Sequence, residues 1–211
     1  EPPFADRRHM LILGSGGTGK TTALIAAHCR LSTRLQQRDG RPVISAFVPL
    51  PSCVGSFGEG SLDRAVAQQL ALDLDDLHRV LPLVHLVIFA DSLDECDVSA
   101  QRKQHTTGTG LVDVSTLCQH GACLVVSCRP EFLRDFARPD RIVSAHQRVA
   151  ARHVAEFSDG DAADFWRLRT AHAVLIRADV AATQLSRDLR RLPIALRMLA
   201  DVAASPTVGP H

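Results

Sequence analysis

Four apolar runs recur along the chain, each four to eight residues long and without polar alternation: Met10-Leu11-Ile12-Leu13, Val43-Ile44-Ser45-Ala46-Phe47-Val48-Pro49-Leu50, Leu83-Val84-His85-Leu86-Val87-Ile88-Phe89-Ala90 and Ala122-Cys123-Leu124-Val125-Val126-Ser127. Runs of this length, rich in β-branched residues, read as strands of a parallel sheet covered on both faces. They predict strands over roughly 9–13, 43–50, 83–90 and 122–127, with a weaker one near 141–150. Helical segments fall between them. One runs from Lys20 to about Arg38 and stops at Asp39-Gly40, a turn signal with Pro42 just after it. Another starts at Ser61-Leu62-Asp63-Arg64 and places Leu62, Val66 and Leu70 on one face. The alternation of strand and helix implies right-handed crossovers and an α/β fold with a mainly parallel central sheet flanked by helices.

The pattern changes near Ser158-Asp159-Gly160-Asp161, where Ser158 and Asp161 form a capping arrangement and the remainder reads as helical. Phe165, Leu168, Ala171 or His172, and Leu175 recur at helical spacing, as do Leu185, Leu189, Leu192, Leu196 and Leu199. These stripes are helix-on-helix core. The organisation expected is a main domain over 1–156, a small C-terminal helical annex over 157–204, and a linker or frayed tail over 205–211. The polar stretch from Ser99 to Gly110 reads as a loop.

Chemistry enters between Gly14 and Thr21, where the chain reads GSGGTGKT and fits G-x-x-x-x-G-K-[ST]. An apolar run precedes it and a good helix former follows, the strand–loop–helix setting of a phosphate-binding loop. Gly14, Ser15, Gly16, Gly17, Thr18 and Gly19 would curl so that successive N–H groups face phosphate oxygens, at the positive end of the following helix. Lys20 would reach the β- and γ-phosphates, Thr21 would coordinate Mg²⁺, and Thr22 lies in the same first turn. The fold class is then that of a P-loop NTPase binding a nucleoside triphosphate.

The third apolar run ends in Asp91-Ser92-Leu93-Asp94-Glu95. Ligands of open α/β sheets sit beyond the carboxyl ends of the strands, which puts these acids beside the phosphate loop. Asp91 is the candidate to hold Mg²⁺ opposite Thr21, and Asp94 and Glu95 are candidates to orient or deprotonate the attacking water. The fourth run ends in Cys128-Arg129-Pro130, so Arg129 would stand near a γ-phosphate and offset charge there. Asp94, Glu95 and Arg129 are the candidate catalytic residues.

Together, the Gly14–Thr21 loop, the Asp91–Glu95 run and Ser127-Cys128-Arg129-Pro130 resemble the NACHT division of the STAND nucleotide-binding switches. Val43–Leu50, Glu156–Asp161 with Phe165-Trp166, and Leu192-Pro193-Ile194-Ala195-Leu196 are also similar to that family, and the resemblance spans about residues 9 to 200. It implies ATP or ADP and Mg²⁺ as ligands, the usual roles for Lys20, Thr21, Asp91, Asp94 and Arg129, and a contact of Pro193 near the adenine. It also implies a larger loss of hydrolysis from altering Asp94 than Glu95, although spacing alone allows either. The chain departs from the family at Cys128, where a serine is frequent.

Composition narrows the field. The net charge of +1 and an aromatic content of 4% give no electrostatic or stacking case for nucleic acid. The longest apolar run, Leu81 to Ala90, is too short to span a bilayer. The chain starts at Glu1 and carries no cleavable signal pattern, so an excerpt of a larger intracellular, cytoplasmic protein is expected. Six cysteines in 211 residues do not form a secreted disulfide framework, and Cys118, His120, Cys123 and Cys128 lack metal-ligand spacing. No nucleophile-elbow pattern is present.

These readings converge on a slowly hydrolysing switch whose nucleotide state controls domain arrangement and self-association, with nucleotide and other domains of the same protein as partners. Two alternatives remain: a nucleotide-gated assembly scaffold with negligible turnover, and a small-molecule P-loop kinase. The kinase needs a lid with clustered arginines, and Arg187-Asp188-Leu189-Arg190-Arg191 looks helical instead. The absence of an N-K-x-D run leans toward adenine as the base.

Overall fold

The computed structural model describes residues 9–34, 36–52, 61–96, 117, 120–134, 149–161, 164 and 192–197. The chain divides into two compact units, one formed by 1–14 with 20–153 and the other by 15–19 with 154–211.

In the first unit the elements follow one another as β1 (His9–Leu13), α1 (Lys20–Ser32), β2 (Gln37–Arg38), β3 (Arg41–Pro49), α2 (Ser61–Gln69), α3 (Leu74–Val80), β4 (His85–Asp91), β5 (Cys123–Cys128), α4 (Pro130–Arg134) and β6 (Val149–His153). They build a six-stranded sheet in the order β2-β3-β4-β5-β1-β6. All pairings are parallel except the short β2–β3 ladder. The mainly parallel α/β sheet expected from the apolar runs is what forms, and β5 is inserted between β1 and β4.

The runs are continuous because the two faces of the sheet bury alternate residues of each strand. Leu11, Leu13, Ala46, Val48, Leu86, Ile88, Leu124 and Val126 belong to one cluster, closed by Leu62 and Val66 of α2 and Leu77 of α3. Phe89, Val125 and Leu24 of α1 form a second cluster, joined by Met10, Ile12, Phe47 and Val87. A strand with both faces covered has no solvent side on which polar residues could alternate.

Two boundaries differ from the sequence expectation. Helix α1 ends at Ser32, not near Arg38. Ser32 Oγ donates to the His28 carbonyl at 2.9 Å and Thr33 Oγ1 to the Cys29 carbonyl at 2.8 Å, side-chain bonds that compete with continuation of the helix. Gln37 and Arg38 instead pair antiparallel with Pro42 and Arg41. Asp39 and Gly40 connect them with φ of 49° and 75°, two left-handed residues as in the tight hairpin turn that Asp-Gly favours. Strand β4 begins at His85 because Leu81-Pro82-Leu83 forms a 3₁₀ turn that leaves Leu83 66% exposed.

Helix α2 closes without a glycine. The Leu72 amide bonds the Ala67 carbonyl at 2.9 Å, and the Ala71 amide bonds that of Gln68 at 3.1 Å, with Ala71 held at φ 55°. That is a Schellman close with alanine in the left-handed position.

In the second unit, Ser158 and Asp161 cap each other. Ser158 Oγ donates to Asp161 Oδ2 at 2.6 Å, and the Ser158 amide donates to the same oxygen at 2.9 Å. Those bonds favour the ionised form and hold the exposed Asp161 carboxyl below its ordinary range. A helical turn covers 193–197. The stripes through Phe165–Leu175 and Leu185–Leu189, the Ser99–Gly110 loop and the 205–211 tail lie outside the described residues, and of the strand expected near 141–150 only β6, from Val149, lies within them. Among the described residues no helix is long and apolar enough to cross a membrane.

Candidate phosphate-binding site

The carboxyl ends of β1, β4 and β5 lie side by side, because β5 pairs with both of its neighbours. The Gly14 amide donates to the Cys128 carbonyl at 3.4 Å, tying the exit of β1 to the last residue of β5.

At the start of α1, Thr21 Oγ1 donates to Asp91 Oδ2 at 2.8 Å, although seventy positions separate the two residues. Lys20 Nζ folds back to the Gly14 carbonyl at 2.5 Å. Thr22, next in the same turn, is exposed. Asp91 itself is 5% exposed. Such a carboxylate persists only when its lone pairs are matched by donors, and here three hydroxyls match them. Besides Thr21, Ser92 Oγ donates to Oδ2 at 3.3 Å and Ser127 Oγ to Oδ1 at 2.5 Å. The backbone turns sharply after the strand: Ser92 sits at φ 62°, ψ 51°. A small residue suits that left-handed position best.

Asp94 and Arg129 meet at two points. Arg129 Nε lies 2.9 Å from Asp94 Oδ2, and the Arg129 amide donates to Oδ1 at 3.1 Å. Glu95 is held more loosely, its Oε1 3.9 Å from an Arg129 terminal nitrogen. The Asp94 side chain is 9% exposed against 55% for Glu95. Arg129 therefore engages the acids at the end of β4. Beneath them the Cys128 thiol is pushed up to about 12, first by burial and then by the Asp94 charge, with Lys20 opposing. That thiol stays protonated and does no nucleophilic work near neutral pH.

Within the second unit, Thr18 Oγ1 donates to the Ser15 carbonyl at 2.9 Å and closes a turn, while Ser15 and Gly16 are exposed. Gly17 and Gly19 take φ of 79° and 89°. Gly17 is required twice over. Its dihedral is left-handed, and a Cβ there would overlap Ile194 Cγ2. The Ile194 amide donates to the Gly17 carbonyl at 3.4 Å, and Pro193 Cγ would be 3.8 Å from a Cβ on Gly19. Pro193 thus stands against the loop glycines, and Ile194 is 53% exposed beside them.

The donor set fits Mg²⁺ with nucleotide phosphates. A hydroxyl and a carboxylate oxygen 2.8 Å apart are hard ligands of the kind Mg²⁺ takes, one or two from protein and the rest from phosphate and water. Among the described residues no cluster of three His, Cys, Asp or Glu side chains offers an alternative metal site.

Sequence reasoning overlooked Ser127 as a member of the site. Its signal was a hydroxyl closing an otherwise apolar strand, next to the strand that ends in Asp91.

Compared with known proteins, the chain matches no family model and no curated protein sequence. Solved structures do match. The ORC2 protein of Aeropyrum pernix, solved in ADPNP-ADP complexes, aligns at 12% identity and TM-score 0.50 over 96% of this chain and 63% of its own. Cdc6p of Pyrobaculum aerophilum aligns at 14% identity and TM-score 0.55 over 92% of this chain and 54% of its own. The Aeropyrum pernix ORC1 protein, solved in complex with DNA, aligns at 16% identity and TM-score 0.55 over 92% and 53%. The chain spans between about half and two-thirds of the length of these structures. The likeness shows the fold, a mainly parallel sheet flanked by helices of the P-loop NTPase type. It does not reach the NACHT division that the motifs resemble.

Proposed function

We propose that this chain binds Mg²⁺-ATP and hydrolyses it slowly, as the nucleotide-dependent switch of a larger NACHT-type signalling protein. The observation that carries the reading is the Thr21–Asp91 hydrogen bond, which joins the end of the glycine loop to the acid at the end of β4. Thr21 and Asp91 would hold the metal, and the Ser15–Gly19 amides with Lys20 would hold the phosphates. Pro193 would flank the base. Mg²⁺, when bound, withdraws charge from the phosphate oxygens. Hydrolysis is in-line attack of water on the γ-phosphorus. The bond from that phosphorus to the β-phosphate oxygen breaks, and the water proton passes to a carboxylate.

Glu95 fits that last role better than Asp94. Both oxygens of Asp94 are engaged by Arg129, whereas Glu95 is more exposed and only loosely paired. This departs from the family resemblance, which favours Asp94. The structural neighbours support nucleotide binding by their fold and by the ADPNP-ADP complexes of one of them. The DNA bound by another has no counterpart in the charge of this chain, which is +1.

A scaffold with negligible turnover is the second reading. The Arg129–Asp94 clamp favours it, because a cation held by its own acid is not presented to a γ-phosphate. Calorimetric titration of Asp91→Asn tests the site. Mg²⁺-dependent ATP binding should weaken by at least about tenfold while Mg²⁺-free binding changes little. Equal responses with and without Mg²⁺ would make Asp91 a structural acid.

A further inference from the structure

Ser127 is 0% exposed, in the middle of the sheet, at the end of a strand that is otherwise apolar. A hydroxyl in that position is unfavourable unless both its donor and its acceptor capacity are met. Both are met, by two consecutive residues at the end of β4. Ser127 Oγ accepts from the Ser92 amide at 2.9 Å and donates to Asp91 Oδ1 at 2.5 Å. The hydroxyl thus links the amide of the left-handed Ser92 to the carboxylate of the residue before it.

The consequence for Asp91 is geometric. Its Oδ2 is the oxygen shared with Thr21 and faces the start of α1. Its Oδ1 is the oxygen shared with Ser127 and faces β5. A carboxylate pinned at one oxygen only can still rotate about its Cβ–Cγ bond, a broad torsion. Pinned at both, it has one orientation, and Oδ2 is presented at the end of α1 without further ordering. Metal-binding carboxylates depend on such outer partners to fix their direction.

The geometry points to Ser127 as a positioning residue for the Mg²⁺ site, acting through Asp91 and not by touching metal or nucleotide. This rests on the proposed reading of Thr21 and Asp91 as metal-holding residues. The role differs from plain sheet packing, since a packing serine would affect stability alone.

Calorimetric titration of ATP, in Mg²⁺ and in excess chelator, separates the possibilities for the parent, Ser127→Ala, Ser127→Cys and Ser127→Thr. Thermal unfolding without nucleotide is measured in parallel. The expected result for Ser127→Ala is a 10- to 100-fold loss of Mg²⁺-dependent affinity with Mg²⁺-free ATP affinity within about twofold of the parent. Ser127→Thr restores the hydroxyl and should recover most of the Mg²⁺ dependence. Should Ser127→Ala fail to fold, Ser127→Cys, close in size and a weak donor, carries the same expectation. Parental Mg²⁺ dependence in the folded alanine or cysteine variant, with or without a change in melting temperature, overturns the proposal. Equal weakening in Mg²⁺ and in chelator also overturns it. A parent that binds no ATP in either condition removes the nucleotide reading itself, and the Ser127 role with it.

Discussion

Neutralising Glu95 and Asp94 one at a time distinguishes the carboxylate that handles water from the one that handles Arg129. Glu95→Gln removes a charge whose nearest cation is 3.9 Å away and whose side chain is 55% exposed, so little in the folded ground state depends on it. If it accepts the water proton, its loss appears only in the transition state, as a fall of at least ~10²-fold in hydrolysis, about 2.7 kcal/mol. ATP affinity should stay within about twofold. Asp94→Asn acts differently. It weakens an ion pair at 2.9 Å to an arginine that is 51% exposed, while the Arg129 amide keeps an oxygen to bond. A half-exposed pair of this kind is worth at most ~1 kcal/mol, so loosening Arg129 should slow hydrolysis by less than about tenfold.

Single-turnover hydrolysis, with protein in excess over ATP and binding measured alongside, reads both effects. A loss of two or more decades in Asp94→Asn with parental rates in Glu95→Gln would refute the assignment. It would mean that the Asp94–Arg129 clamp opens when nucleotide arrives and that Asp94 is the group facing the water. Parental rates in both variants would favour the scaffold reading over the enzyme.

Two further outcomes test the fold around the site. Ala71→Gly relieves a left-handed alanine at the close of α2, and should raise stability by roughly 0.5–1 kcal/mol and the melting temperature by about 1–4 °C; a drop on calorimetric scanning would contradict the Schellman geometry. Burial lowers the His28 imidazole below its ordinary 6.5, so the folded form binds fewer protons than the unfolded one as pH falls through that value. Stability should therefore be complete above about pH 6.5 and decline below it, and His28→Gln should flatten that part of a urea-denaturation pH profile.

The apolar runs disclosed the sheet because a strand buried on both faces leaves little else it can be. They could not disclose where α1 stops, since Leu31 through Gln37 contains no glycine or proline. The decision lies in the Ser32 and Thr33 hydroxyls turning back on the helix and in the pairing of Gln37 with Pro42. Asp39-Gly40 was legible as a turn, but its two left-handed residues also permit a hairpin, and only the partner strand decides. In the site, the juxtaposition of Thr21 and Asp91 was legible from the glycine-loop motif and from an apolar run that ends in acids, since ligands of such sheets sit beyond the carboxyl ends of the strands. The division of labour between Asp94 and Glu95 did not, because adjacent acids in a sequence carry no record of which one an arginine has engaged. Ser127 escaped for a similar reason. A serine at the end of an apolar strand is common, and its meaning comes from the two atoms it bonds on the neighbouring strand.

Lys20→Ala tests whether the Gly14–Thr21 loop holds a nucleoside triphosphate. In the structure Lys20 Nζ donates to the Gly14 carbonyl of its own loop. Its removal deletes the charge that would meet the β- and γ-phosphates and leaves the sheet untouched. Calorimetric titration of parent and variant with Mg²⁺-ATP, with circular dichroism to confirm the fold, should show binding in the parent. In the variant the affinity should fall by about tenfold or more, the worth of a charge-assisted contact of 1.5–3 kcal/mol. Equal affinity in the two proteins, or no binding by a folded parent, would mean that the Gly14–Thr21 loop does not hold the phosphates.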